Sequence, residues 1–160
     1  MDKKYEFTDE TIEMDGSILH RIRATTNFGY IRSGELGGFI EYRSNLSHSD
    51  TAWVYDNSRV WGDAWIHSDA KITGNAQVFG HAQVGGSSRI SGNAKVFGHA
   101  LVFENAQVSG SAWICDNSMV FRDCNVSSGI WSKTAKTDHG RYHSWYLIST
   151  TLKRVYMGSL

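Results

Sequence analysis

Proline is absent from this 160-residue chain, cysteine occurs only twice, and 16 Lys and Arg are balanced by 16 Asp and Glu. Each scarcity excludes something. Without proline, reversals have to be made by Gly, Asn and Asp, which tolerate tight turn geometry, and 16 glycines are present to make them. Cys115 and Cys124 supply neither a disulfide framework nor the paired spacing of a zinc knuckle, so small or surface-tolerated side chains and no metal site are expected. No apolar run is long enough to cross a bilayer, and the start MDKKYEFTDE lacks the apolar segment of a secretory signal. A cytoplasmic protein without membrane contact is therefore expected.

A formal charge of zero leaves no excess to draw nucleic acid from a distance. The charges are nevertheless uneven. Residues 1–49 hold eight acids against six bases, whereas 128–160 hold one acid, Asp138, against Lys133, Lys136, Arg141, Lys153 and Arg154. Such a tail can seek phosphate or an acidic partner.

What the chain has in abundance is repetition. From Asp50 to Ser127 it divides without insertion into thirteen hexads: DTAWVY DNSRVW GDAWIH SDAKIT GNAQVF GHAQVG GSSRIS GNAKVF GHALVF ENAQVS GSAWIC DNSMVF RDCNVS. The third position is always Ala, Ser or Cys and the fifth always Val or Ile. Two inward residues flanking one outward residue describe a short strand, and the Gly, Asp, Asn and His positions that follow describe a turn. A strict period of six would scatter the fifth position around a 3.6-residue helix. Strands this short are stable only when stacked on copies of themselves along a solenoid axis.

These hexads resemble the left-handed parallel β-helix of hexapeptide-repeat proteins, in which three hexads make one triangular coil of eighteen residues. The resemblance implies the left-handed connection, an exception to the usual right-handed crossover. Independent support for three hexads per coil comes from GNAQVFGHAQV and GNAKVFGHALV, eighteen residues apart and identical at nine of eleven positions. Upstream, GGFIEY and RSNLSH continue the register, with Ile40 and Leu46 in place of Ala, as a worn first coil. The expected fold is all-β: a left-handed parallel β-helix over 32–127, clearest over 50–127, between two caps. Residues 1–31 form an N-terminal β-hairpin cap, with FTDETIEM, the turn pair Asp15-Gly16 and SILHRIRATT, in which Ile18, His20, Ile22 and Ala24 alternate. Residues 128–160, including WYLISTTLKRVYMG, form a small β-rich C-terminal cap or an oligomerisation segment.

The segments KYEFTDETIEMDGSILHRIRA, GELGGFIE and NLSHSDTAWVYDNSRVWGDA also resemble a group of prophage-encoded and bacterial hexapeptide-repeat proteins. Some of these are labelled acyltransferases or polymer-forming proteins on the strength of their fold, which does not by itself carry an activity.

If equivalent positions stack about 4.8 Å apart, columns can be read across the coils. One turn column is Asp63, His81, His99, Asn117. A carboxylate beside an imidazole can orient a general base or a metal ligand pair. The same position holds Asn or Asp in most other hexads, so a polar turn role is favoured. Hexapeptide acyltransferases place a histidine beside a loop that leaves the helix and bind acyl-coenzyme A between subunits. His81 or His99, with Asp63, could serve there, although the array has no such loop.

The outward columns carry aromatics. Trp61, Phe79 and Phe97 form one stack ending at Cys115, while Trp65, Leu101 and Met119 lie on the next face, with Phe103 and Phe121 at its edge. Ladder packing accounts for part of this, and contiguous apolar columns on a rod also suggest a contact surface. The third face, with Trp53, Lys71, Arg89, Gln107 and Asn125, could meet an anionic ligand through Lys71 and Arg89.

The expected function is non-enzymatic: a rigid phage- or prophage-encoded module that forms a homo-oligomer, dimer or trimer, or binds a host or phage protein through its aromatic faces. Inhibition of a host defence complex is one use of such a module. No cofactor is expected, acetyl-coenzyme A entering only under the acyltransferase alternative. Binding of a nucleotide or nucleic acid through Lys71, Arg89 and the basic tail is a third reading.

Overall fold

From Trp53 to Asn125 a strand begins at every sixth residue, and these strands fall into three sheets. The computed structural model describes residues 3–133 and 146–148, and it is a parallel β-solenoid of about five turns. Among the described residues the one helical element is a 3-10 turn at Arg43–Asn45. The first face carries Arg59–Val60, Gln77–Val78, Lys95–Val96, Trp113–Asp116 and Ile130–Lys133. Trp65–Ile66, Gln83–Val84, Leu101–Val102 and Met119–Val120 make the second face, and Trp53–Val54, Lys71–Ile72, Arg89–Ile90, Gln107–Val108 and Asn125–Val126 the third.

Partners within the array lie eighteen residues apart, as in Lys71, Arg89, Gln107 and Asn125. Each rung spends its backbone on the next coil: the Lys71 N–H donates to the Ser88 carbonyl at 3.0 Å and the Arg89 N–H to that of Ala106 at 2.9 Å. That satisfies polar groups which would otherwise be stranded inside. The fifth-position Val60, Val78, Val96 and Ile114 are fully buried, and so are the third-position Ala76, Ala94 and Ala112. Burying each larger aliphatic contributes roughly 1.5–3 kcal/mol, while the third position stays small because little room is left beside it. Serine substitutes there without loss of hydrogen bonding, since the Ser88 hydroxyl donates to the Gly85 carbonyl at 2.7 Å.

The first residue of every hexad from Asp56 to Arg122 has positive φ, between 52° and 70°. Glycine adopts this conformation freely, whereas Asp56, Ser68, Glu104, Asp116 and Arg122 hold it at a cost of roughly 1–2 kcal/mol each. Corners also stack closely. A Cβ on Gly74 would lie 3.2 Å from the backbone of Gly92.

The N-terminal region departs from this regularity. Strands β1 (Tyr5–Met14) and β2 (Ser17–Ala24) form an antiparallel hairpin around Asp15 and Gly16, both at positive φ. Strand β3 (Leu36–Ile40) pairs antiparallel with β2 and parallel with Arg59–Val60, so the hairpin extends the first face.

Two features of this end differ from the sequence expectation. Ile40 and Leu46 pair with Val60 and Ile66, twenty residues away, and so occupy the Val position rather than the Ala position. The cause is two additional residues between Leu46 and Val54, which stand eight apart where Val54 and Val60 stand six apart. Gly38 takes the Ala place, and a Cβ there would come within 2.5 Å of the Ser58 carbonyl. In β2, Ile22 and Ala24 do reach the core, but Ile18 runs past its end and is 59% exposed. Leu19, on the opposite side of the strand, is buried against Phe39 and Trp61 instead.

Single contacts hold this end together. The buried Tyr5 places its hydroxyl 2.9 Å from the Arg43 carbonyl and 3.1 Å from that of Leu46. The Lys4 ammonium donates to the carbonyls of Asp50 and Ala52 at 2.8 and 2.9 Å. Burial lowers its pKa to about 8, against the opposing pull of Asp50. His48 stacks on Tyr5 at 4.2 Å and accepts the Lys4 backbone N–H on Nδ1. Buried Asn45 donates to the carbonyls of Gly62 and Ala64.

At the other end Ile130–Lys133 pairs antiparallel with Tyr146–Ile148. The rest of the expected C-terminal cap, with Lys136, Asp138, Arg141, Lys153 and Arg154, lies outside the described residues.

Candidate functional site

The outer surface of the first face carries the longest aromatic ladder. Trp61 stacks on Phe79 with centroids 4.4 Å apart, Phe79 on Phe97 at 4.9 Å, and Trp113 meets Phe97 edge-on at 6.1 Å. Parallel rungs place these rings at successive coils, which is why eighteen-residue spacing in the chain becomes van der Waals contact in the fold. Trp61 is not the exposed residue its column suggests. It is 6% exposed because β2 lays Leu19 over it and β3 adds Phe39. The accessible part of the ladder is therefore half-buried Phe79 and Phe97 together with Trp113, which is 40% exposed.

Trp113 was not singled out from the sequence. It stands at the outward fourth position, after Arg59, Gln77 and Lys95, so its column looks polar until its lateral contact with Phe97 is known. The Lys95 ammonium lies 5.0 Å above its ring, an arrangement that favours both groups. Cys115 ends the ladder column as expected and is buried, with burial raising its thiol pKa. Cys124 is exposed, and both thiols are free.

The second face is more broken. Trp65 is 44% exposed, but Gln83 separates it from Leu101 and Met119, which are half-buried neighbours. Trp65 instead stacks on His67 at 4.1 Å. Burial lowers the His67 pKa, with Asp50 opposing. Phe103 and Phe121 stack at 5.6 Å along the edge, with Arg122 over Phe121.

On the third face Lys71 and Arg89 are adjacent, as expected from their column. Trp53, expected to point outward beside them, is fully buried. The segment after β2 crosses this face, so that Phe28 packs edge-on against the indole at 5.3 Å and Tyr5 does so at 6.2 Å. The same segment brings Tyr30 to Lys71 and, with Tyr55, closes a cleft that contains Lys71 and Arg89. Nothing in the sequence marks either tyrosine: Tyr30 belongs to a non-repeated loop that leaves no periodic trace, and Tyr55 ends the hexad DTAWVY, whose sixth-position column continues with Thr73, Ser91 and Ser109 and so looks polar.

The histidine column assembles in part. His81 Nδ1 lies 3.3 Å from Asp63 Oδ2, and the rings of His81 and His99 stack at 4.7 Å. The arrangement can hold an imidazole in one orientation. It is also what other second-position residues do: the Thr51 hydroxyl donates to Asp69, and Asn105 to Asp123 at 3.2 Å, each across eighteen residues. The contact is thus a general property of the corners. No group of three or more His, Cys, Asp and Glu able to hold a metal ion occurs among the described residues, and no helix there is long and apolar enough to cross a membrane.

No protein-family model matches the chain, and comparison with curated proteins finds no match.

Proposed function

We propose that the chain is a rigid, non-enzymatic assembly module that binds a second copy of itself through the outer ladder of the first face. The observation that carries this reading is the contiguous contact of Phe79, Phe97 and Trp113 at the surface. Stacked rings held by hydrogen-bonded rungs lose little freedom on binding, which lowers the entropy cost of association. Aromatic side chains dominate the energetics of such contacts. A formal charge of zero adds no net repulsion between copies.

Several finer features belong to this reading. Three hexads per coil are supported by the eighteen-residue register, while the left-handed winding rests on the hexapeptide resemblance alone. The hairpin of β1 and β2 acts as a cap, a role supported by Tyr5 and Ile22 in the core, and at the other end Ile130–Lys133 continues the first face beyond Trp113–Asp116. The resemblance to prophage-encoded proteins supports a role in the cytoplasm of a host cell, where blocking a defence complex is one use of a rigid surface.

Sedimentation tests the assembly directly. The wild-type chain is expected to sediment as a multiple of 17.9 kDa, and Phe97→Ser with Trp113→Ser as a monomer with an unchanged far-ultraviolet spectrum. Equal masses for the two would reject the ladder as the interface.

The oriented His81–Asp63 pair favours one second reading, an acyl-coenzyme A-dependent transferase with His81 or His99 as base. Turnover with acetyl-coenzyme A that is abolished by His81→Ala would establish it over the assembly reading.

A further inference from the structure

The cleft on the third face brings together features that the ladder does not use. It has a volume of about 240 Å³ and is lined by Tyr30, Tyr55, Asp69, Lys71, Ser87 and Arg89, among others. Two cations one rung apart stand on one wall. Neither forms an ion pair among the described residues. Asp69, whose Oδ1 accepts from the Thr51 hydroxyl at 2.5 Å, is the one acid in the lining, so two cations against one carboxylate leave the cleft with a net charge of +1.

The cleft also carries an exposed aromatic ring. Tyr30 is 87% exposed, the most exposed of the large apolar or aromatic side chains described. It is held at the cleft by the loop around Gly29, whose φ is 50°, and by the bridge between Phe28 and Ile31. The Lys71 ammonium lies 5.3 Å from the centre of the Tyr30 ring. Below them Tyr55 is half-buried, and burial raises its pKa, with Glu35 adding to the effect and Arg89 opposing it. Its hydroxyl therefore stays protonated and able to donate at neutral pH.

We propose that this cleft binds a nucleoside monophosphate, with the phosphate on Lys71 and Arg89 and the base laid against Tyr30. A guanidinium beside an ammonium is suited to a phosphate with more than one negative charge. Base stacking on an exposed ring tolerates any base. Asp69 and Ser87 supply an acceptor and a hydroxyl for ribose. The volume is below the roughly 300–1,000 Å³ of pockets that enclose drug-sized ligands, so the nucleotide is held from one side and its outer edge stays in water. That size also separates the proposal from a track for nucleic acid, which would need a longer basic groove. The proposal does not depend on the ladder of the first face.

Calorimetric titration of the full chain with AMP provides the test, with adenosine, inorganic phosphate and a single-stranded oligonucleotide as parallel arms. AMP is expected to bind more tightly than either of its parts, and the affinity is expected to fall as salt rises from about 50 to about 300 mM. Lys71→Ala and Arg89→Ala should each weaken binding roughly tenfold or more. Tyr30→Ala should weaken AMP but not phosphate. Lys95→Ala, on another face, should leave binding unchanged, and the melting temperature of each variant shows whether it has folded. Absence of AMP binding overturns the proposal. So does equal binding of phosphate or adenosine, tighter binding of the oligonucleotide, or indifference to both Lys71→Ala and Arg89→Ala in folded protein.

Discussion

The central coils and the N-terminal end solve the same problem by opposite means. Between Trp53 and Asn125 every rung repeats its neighbours at eighteen residues, so stability is spread over columns of Ala, Val and Ile in which no rung is special. At the N-terminal end the register is twenty, and the core is completed by contacts that occur once: Tyr5 to Arg43 and Leu46, Lys4 to Asp50 and Ala52, Asn45 to Gly62 and Ala64. A repeat can be read from its period and tolerates local change. An end has to be built residue by residue, and losing one residue there exposes the interior.

The contrast can be broken most severely at Tyr5. Tyr5→Ala removes a fully buried ring and two carbonyl contacts, and is expected to cost roughly 3–5 kcal/mol in chemical denaturation. Ala94→Leu overfills one rung of the array between Ala76 and Ala112, and should cost less, roughly 1–3 kcal/mol. Were Ala94→Leu the more damaging of the two, the array and not its end would be the vulnerable region.

A smaller effect separates the regions by pH. The His48 pKa is lowered, first by burial and then by Lys4, Arg43 and Lys3. Below its unfolded value of 6.5, the unfolded chain takes up a proton that the folded chain resists, so stability falls as pH drops toward the depressed folded value. Amide protection factors, in which the intrinsic slowing of exchange in acid is divided out, should therefore fall in β1 and β2 as the pH drops below 6.5 before they do in the central rungs, and His48→Asn should remove that difference. Lys4 acts at the other end of the scale. Between about pH 8 and 10.5 the unfolded chain holds a proton that folded Lys4 has lost, so raising the pH through this window favours the folded state. Lys4→Gln should abolish that rise in melting temperature.

The same contrast explains what was legible in the sequence. The solenoid, its three faces and the membership of each column follow from the hexads, because parallel stacking converts periodicity into contact. The aromatic stack of Phe79 and Phe97 and the adjacency of Lys71 and Arg89 were visible for that reason. What escaped lies where non-repeated chain crosses repeated chain. Trp53 and Trp61 occupy outward positions, yet Phe28, Tyr5 and Leu19 cover them. The two residues added between Leu46 and Val54 shift the first coil while leaving its hydrophobic pattern plausible in either register. Trp113 joins the ladder sideways, from the neighbouring column, which a reading column by column does not detect.

On the proposed assembly, copies of this chain meet on the first face and not on the second. Sedimentation equilibrium over a range of concentrations, comparing Phe97→Ser with Trp113→Ser on the first face and Trp65→Ser with Leu101→Ser on the second, tests it most directly. The expected result is a 17.9 kDa monomer for the first pair and the wild-type mass for the second. A wild-type assembly that survives the first pair, or a wild-type chain that is monomeric at every concentration, would contradict the claim.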